Sequence, residues 1–205
     1  MGKRCIIISG GDFTPVSDLQ PDDFVISCDR GYPYCLELGI QPNLLISDFD
    51  SYSGPVSPDV PTHRYPSEKD DTDTMLAVRY AVDHSFEEIR LFCALGGRLD
   101  HTIANLQSLV FARKHGVHAG IYSPQETVLV LQNEKISLPR REGWSLSIFA
   151  VDTVCTGVSL RGTKYPLENA MLSPAFPLGV SNQWAAPEAE ISVQDGVLMV
   201  VLSKM

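Results

Sequence analysis

Two short stretches of this 205-residue chain are crowded with aspartate. LISDFDSYSG (45–54) holds Asp48 and Asp50 behind an apolar run, and EKDDTDTML (68–76) adds Asp70, Asp71 and Asp73. Carboxylates at a spacing of two, placed after a strand, suit a hard divalent cation, which takes oxygen ligands. Mg²⁺ in particular keeps several waters and shares a few carboxylates with phosphate oxygens. Five such acids in one pocket repel one another unless a cation stands between them. The formal net charge of -9 opposes a nucleic-acid partner, which needs a basic footprint. A nucleotide ligand stays open, because Mg²⁺ can stand between acids and phosphates.

A second group of residues suits phosphate directly. In GGRLDH (96–101), Gly96 and Gly97 let backbone N–H groups approach closely, and Arg98 offers a planar donor fork. A helix beginning near Asp100 points its N-terminus at the same place. Lys69 supplies a compact second cation. These parts describe phosphoryl or diphosphoryl transfer, in which positioning and charge neutralisation carry most of the catalysis. Neither a P-loop nor a Gly-x-Gly-x-x-Gly fingerprint is present. Each piece also has a plainer reading. Asp71, Thr72 and Asp73 precede an apolar-periodic run, where such residues cap helices. Asp48 and Asp50 suit a solvated turn, and His101 suits a cap.

The elements that must position these residues favour the chemical reading. CIIIS (5–9), DFVISC (23–28), NLLIS (43–47), IRLFCAL (89–95) and HAGIYS (118–123) are continuous apolar runs, as strands covered on both faces require. Helices are expected between them. YPYCLELG stops at Gly39 with Pro42 beyond; TMLAVRYAVDH aligns Met75, Val78, Ala81 and Val82; HTIANLQSLVFARKHG aligns Ile103, Leu106 and Val110 and stops at Gly116. This alternation predicts an α/β domain with a mostly parallel sheet over residues 1–124. Such sheets bind ligands outside the carboxyl ends of their strands. SGGD follows the first strand, CDRG the second, SDFDS the third and GGRLDH the run at 89–95, while SEKDDTD precedes a helix. Asp12, Asp29, Asp48, Asp50, Asp70, Asp73 and Asp100 therefore converge on one edge. Gly11, Asp29, Gly31, Asp70, Gly96, Gly97 and Ser123 are the candidates for the nucleotide side of that edge.

From about residue 125 the texture changes. ETVLVLQNEKISLP, WSLSIFAV, TVCTGVSLRG and AEISVQDGVLMVVLS are strand-like pieces split by turn residues, with no helical pattern. They predict an antiparallel β-sandwich over 125–205. Five scattered cysteines form no Cys-x-x-Cys pair, so neither a disulfide framework nor a zinc site is expected, and a cytoplasmic location is. No apolar run is long enough to span a bilayer, so no membrane partner is expected.

Taken in order, CDRGYPYCLELGIQPNLLISDFDS, KDDTDTMLAV, LGGRLDHTIANL, GTKYPL and GVSNQ resemble the thiamine pyrophosphokinase family of the bacterial type, over about residues 28–184. The resemblance implies an N-terminal α/β domain, a C-terminal β-sandwich and a homodimer with shared active sites. It implies transfer of a diphosphoryl group from ATP to thiamine with Mg²⁺, giving thiamine diphosphate and AMP. By motif it implies metal binding by Asp48, Asp50, Asp73 and Asp100, and phosphate positioning by Arg98; on the residues' own chemistry, Lys69 would add to charge neutralisation. Asp73 or Asp100 would orient or deprotonate the thiamine hydroxyl, and the sequence leaves that choice open. Tyr165, Ser181 and Asn182 match the residues placed against thiamine, whose thiazolium charge suits an acidic, partly aromatic pocket. Departures are Arg30 and Ser47 where glycine is usual, Gln183 where Glu is frequent and Tyr165 where Trp also occurs. A phosphohydrolase using Asp48 as nucleophile, a nucleotide-sugar transferase and a binding module without turnover are the rival readings.

Overall fold

The computed structural model describes residues 2–66 and 70–205, and the chain divides into two compact units, Met1–Pro124 and Gln125–Met205. The first unit holds strands β1 (Arg4–Ile8), β2 (Phe24–Cys28), β3 (Leu44–Ser47), β4 (Thr62–Arg64), β5 (Glu88–Phe92) and β6 (His118–Tyr122). They run in the order β4-β3-β2-β1-β5-β6, and every pairing is parallel. The central β1 is buried along its whole length, as its unbroken Cys-Ile-Ile-Ile run demands. Thr62–Arg64 is the exposed edge strand.

Helices α1 (Gly31–Glu37), α2 (Asp73–Asp83) and α3 (Leu99–Lys114) complete this unit. The α2 start is set by Thr72, whose hydroxyl accepts the Met75 N–H at 3.1 Å. Its buried stripe is Thr74, Ala77, Val78 and Ala81, so Met75 and Val82 flank the stripe instead of filling it. The α3 stripe departs further from expectation. Asn105, Ser108, Leu109 and Ala112 face inward, whereas Ile103 is 48% exposed and Leu106 and Val110 are half-buried. Polar Asn105 can be buried because its Nδ2 donates to the Ala94 carbonyl at 2.8 Å, just past β5. Ser108 Oγ donates to the Asn105 carbonyl. Apolar periodicity could not find a stripe whose inner residues are partly polar.

The second unit is all β. Strands β7 (Glu126–Gln132), β8 (Lys135–Pro139), β9 (Trp144–Ala150), β10 (Cys155–Arg161), β11 (Leu167–Leu172), β12 (Glu188–Ser192) and β13 (Val197–Lys204) form two antiparallel layers, β7-β13-β9 and β11-β10-β12-β8. Leu146, Ile148, Leu198, Val200 and Leu202 from one layer share a buried cluster with Val158, Leu160, Leu172 and Ile191 from the other, which makes the expected sandwich. The sequence reading misses β11. Half of its residues are exposed, and Asn169 takes a positive φ of 49°, so the alternation that marks a strand is broken there.

Candidate active site

Strand β1 lies between β2 and β5, so the chain order reverses between β1 and β5. That reversal opens a crevice at the carboxyl ends of the strands. The loops after β1 and β5 are tied together there. Ser9 N–H donates to the Phe92 carbonyl (2.9 Å), Gly11 N–H to Cys93 (2.7 Å) and Asp12 N–H to Leu95 (2.8 Å). A Cβ at Gly11 would lie 2.4 Å from the Leu95 carbonyl oxygen, so only glycine permits this approach.

A cavity of about 540 Å³ occupies the crevice. Its lining includes Gly11, Asp29, Asp48, Asp50 and Asp73, together with Gly96, Gly97 and Arg98, all expected from sequence. Carboxylate oxygens of Asp29, Asp48 and Asp50 lie within 4.8 Å of one another. Each of these acids is fixed locally. Asp29 is 8% exposed, and its Oδ1 accepts the Ser47 hydroxyl at 2.8 Å. Asp48 Oδ1 accepts the Asp50 N–H at 3.1 Å, and Asp50 Oδ1 accepts the Ser51 hydroxyl at 2.6 Å.

The gathered set thus differs from the expected Asp48, Asp50, Asp73 and Asp100. Asp29, expected on the nucleotide side, joins the pair; Asp73 lines the same cavity from the first turn of α2. Asp100 does not line the cavity. It is exposed and bound in bidentate fashion by Arg98, with Nε to Oδ1 at 3.1 Å and Nη2 to Oδ2 at 2.5 Å. That guanidinium holds the Asp100 carboxyl below the usual aspartate value, with help from the His101 N–H, and is itself raised by the carboxylate. Two residues apart, the acid and the arginine neutralise each other, which strand-end position alone does not reveal.

Other expected residues fall elsewhere. Gly31 does not line the cavity; a Cβ there would meet the Ile8 carbonyl oxygen at 2.0 Å, so glycine permits the close approach of α1 to β1. Asp70 and Ser123 do not line the cavity. Lys69 lies outside the described residues. Asp71 does line it, while pairing with Arg79 at 3.2 Å. Asp12, expected on this edge, lines the cavity, and Arg30, Tyr34 and Asn105 are lining residues that no sequence motif assigned to the site. Tyr34 is held by its hydroxyl donating to the Gly11 carbonyl at 3.0 Å and by an edge contact to Phe13. The strand-end position of SGGD was the signal for Asp12; Asn105 had none.

Cys28 also lines the cavity, but burial pushes its thiol well above the ordinary cysteine value, which removes it as a nucleophile near neutral pH. All five cysteines are free and buried. Burial holds the Cys35 thiol up at about 12 and Cys93 at about 11.

In the second unit, Tyr165 presents a ring that is 62% exposed, with Lys164 Nζ 5.5 Å from its centroid. Asn182 is 2% exposed, and its side chain clamps the Tyr165 backbone, accepting its N–H at 3.0 Å and donating to its carbonyl at 2.7 Å. The Asn182 amide therefore positions Tyr165 and is not free to face a ligand. Ser181, at a positive φ of 58°, donates its N–H to the Ser147 hydroxyl at 3.0 Å.

Comparisons with known proteins agree on one family. The description "Thiamin pyrophosphokinase, catalytic domain" matches residues 18–121, and "Thiamin pyrophosphokinase, vitamin B1 binding domain" matches residues 133–198. The thiamine pyrophosphokinase of Bacillus subtilis (strain 168) is 27% identical over 98% of this chain and 99% of its own. A crystal structure of thiamine pyrophosphokinase from Bacillus subtilis superposes with a TM-score of 0.90 at 24% identity, covering 99% of this chain and 100% of that one. One from Geobacillus thermodenitrificans gives 0.85 at 28% identity, covering 98% of each.

Proposed function

The chain belongs to the thiamin pyrophosphokinase family, and on that premise we propose that it moves a diphosphoryl group from ATP to thiamine, giving thiamine diphosphate and AMP. The observation that carries this reading is the cavity at the β1/β5 reversal. Its lining combines three gathered carboxylates with two glycine turns and an arginine. The donor set is all carboxylate oxygen, which fits Mg²⁺ and not a soft metal. Asp29, Asp48 and Asp50 would hold the ion, with Asp73 lining the same space. Bound there, Mg²⁺ supplies positive charge that lets the polyphosphate approach these acids.

The chain's own residues supply the rest. Gly97, with open space around its Cβ position, leaves room for phosphate oxygens beside the backbone, and Arg98 donates to the transferring group. Because Arg98 is held by Asp100, its fork is presented in a fixed orientation. The thiamine hydroxyethyl oxygen attacks the β-phosphorus, and AMP leaves. Asp73, inside the cavity, is better placed than Asp100 to accept the hydroxyl proton. Tyr165 offers an exposed aromatic face to the thiazolium, with Asn182 and Ser181 fixing its loop. A cytoplasmic homodimer with shared active sites belongs to the same reading, supported by the family resemblance.

The test is product identity. Purified protein with thiamine, Mg²⁺ and ATP labelled at the β-phosphorus should yield AMP and labelled thiamine diphosphate in equal amounts. ADP or free phosphate as the product, or a labelled acyl-phosphate trapped on Asp48, would point to the rival hydrolase. Nucleotide binding without any product would leave a binding module.

A further inference from the structure

A buried hydroxyl sits behind the gathered carboxylates, and the proposed function gives it no role. Ser47 ends β3 and is 0% exposed. Its Oγ donates to Asp29 Oδ1 at 2.8 Å and accepts the Phe49 N–H at 2.8 Å. One hydroxyl thereby joins two separate segments of the cradle: the acid after β2, and the loop that carries Asp48 and Asp50. Both joined residues have unfavourable backbones. Asp29 has a φ of 41° and Phe49 a φ of 63°, in the left-handed region that non-glycine residues avoid. Phe49 stands between the two acids of the loop, so its backbone decides how Asp48 and Asp50 are presented.

We propose that Ser47 is the positioning residue of the cation cradle. Its hydroxyl fixes the Asp29 carboxylate and the Asp48–Asp50 loop at the separation a divalent ion needs. The inference rests on the metal reading proposed above and adds to it a residue that never touches the ion. A carboxylate that accepts one hydrogen bond through Oδ1 keeps its other oxygen for the cation, and its rotamer is locked. Removing partners of this kind from a metal site costs affinity roughly ten- to a hundredfold. The nearby Ser27 offers a control. It is also buried at 0% exposure, one strand over on β2, yet its hydroxyl has no hydrogen-bond partner among the described residues.

The test measures metal binding without turnover. Mn²⁺, which shares the oxygen preference of Mg²⁺, is titrated into the purified full chain, and free Mn²⁺ is read by electron paramagnetic resonance. Ser47→Ala should weaken the Mn²⁺ dissociation constant about tenfold. Ser27→Ala should leave it unchanged, and Ser47→Thr, which keeps the hydroxyl, should recover most of the loss. Metal-free melting temperatures of the variants separate misfolding from a loosened cradle; if Ser47→Thr does not fold, the contrast of Ser47→Ala with Ser27→Ala decides. Wild-type protein that binds Mn²⁺ while Ser47→Ala binds it equally tightly overturns the role of Ser47 and leaves the metal reading standing. Wild-type protein that binds no Mn²⁺ overturns both.

Discussion

The loop after β3 and the loop after β5 both line the same cavity, and their acids are held in different ways. Behind β3, Asp48 and Asp50 gather with Asp29; Asp29 accepts the Ser47 hydroxyl, Asp48 the Asp50 N–H and Asp50 the Ser51 hydroxyl. Behind β5, Asp100 is neutralised within its own loop by Arg98. The backbones differ as well. The β5 loop turns through glycines, Gly96 and Gly97, at positive φ; the β3 loop forces Phe49 into the same region and holds it with Ser47. In the proposed reading the first loop takes an added cation, and the second supplies its own.

The difference is sharpest in the rates. Asp48→Asn should lower kcat/KM by on the order of a hundred- to a thousandfold, comparable to removing a principal electrostatic group from other active sites. Raised Mg²⁺ should recover part of it, as steady-state assays across a metal titration would reveal. Arg98→Gln should raise the KM for ATP roughly tenfold, with little change in the Mg²⁺ requirement, because a charged hydrogen bond is worth about 1.5–3 kcal/mol. Equal metal dependence in the two variants would erase the contrast between the loops.

Backbone chemistry gives a smaller effect. Gly97→Ala should cost about 1–2 kcal/mol, the left-handed penalty alone, since open space surrounds its Cβ position at a φ of 64°. Gly96→Ala should cost more, because a Cβ there would also meet Asp12 Oδ2 at 2.0 Å. Denaturant melts of the two variants rank them. The smallest effect is a titration. Asp100 has its folded-state carboxyl below the ordinary 3.8, through the Arg98 hydrogen bonds first. Its contribution to stability is therefore present above about pH 3.8 and is lost as pH falls through the lowered folded value. Carboxyl carbon shifts followed by NMR should put the Asp100 midpoint below 3.8, and Arg98→Gln should return it towards 3.8.

Much of the first unit is legible without coordinates, for reasons visible in particular residues. The Cys5–Ile8 run can only be a strand covered on both faces, and Thr72 before an apolar run announces the start of α2. Strand-end placement also carries Asp48, Asp50 and Asp29 to one edge. Asn105 shows where such reading stops. Its burial depends on a carbonyl at Ala94, a partner set by how α3 lies on β5, so a polar residue took the place where periodicity sought an apolar one.

The chain's order of motifs determined, by itself, the family, the two kinds of unit and the residue types that the chemistry needs. Tertiary structure alone decided which acids gather and which pair internally, because carboxylates on different loops differ by ångströms that spacing along the chain does not encode. Asp29 joined Asp48 and Asp50 through the parallel pairing of β2 with β3 and the hydroxyl of Ser47. Asp100 left the set because the nearest guanidinium stands two residues away and wins its charge. At these distances the energy of an ion pair is steep in separation, and separation is what the fold sets.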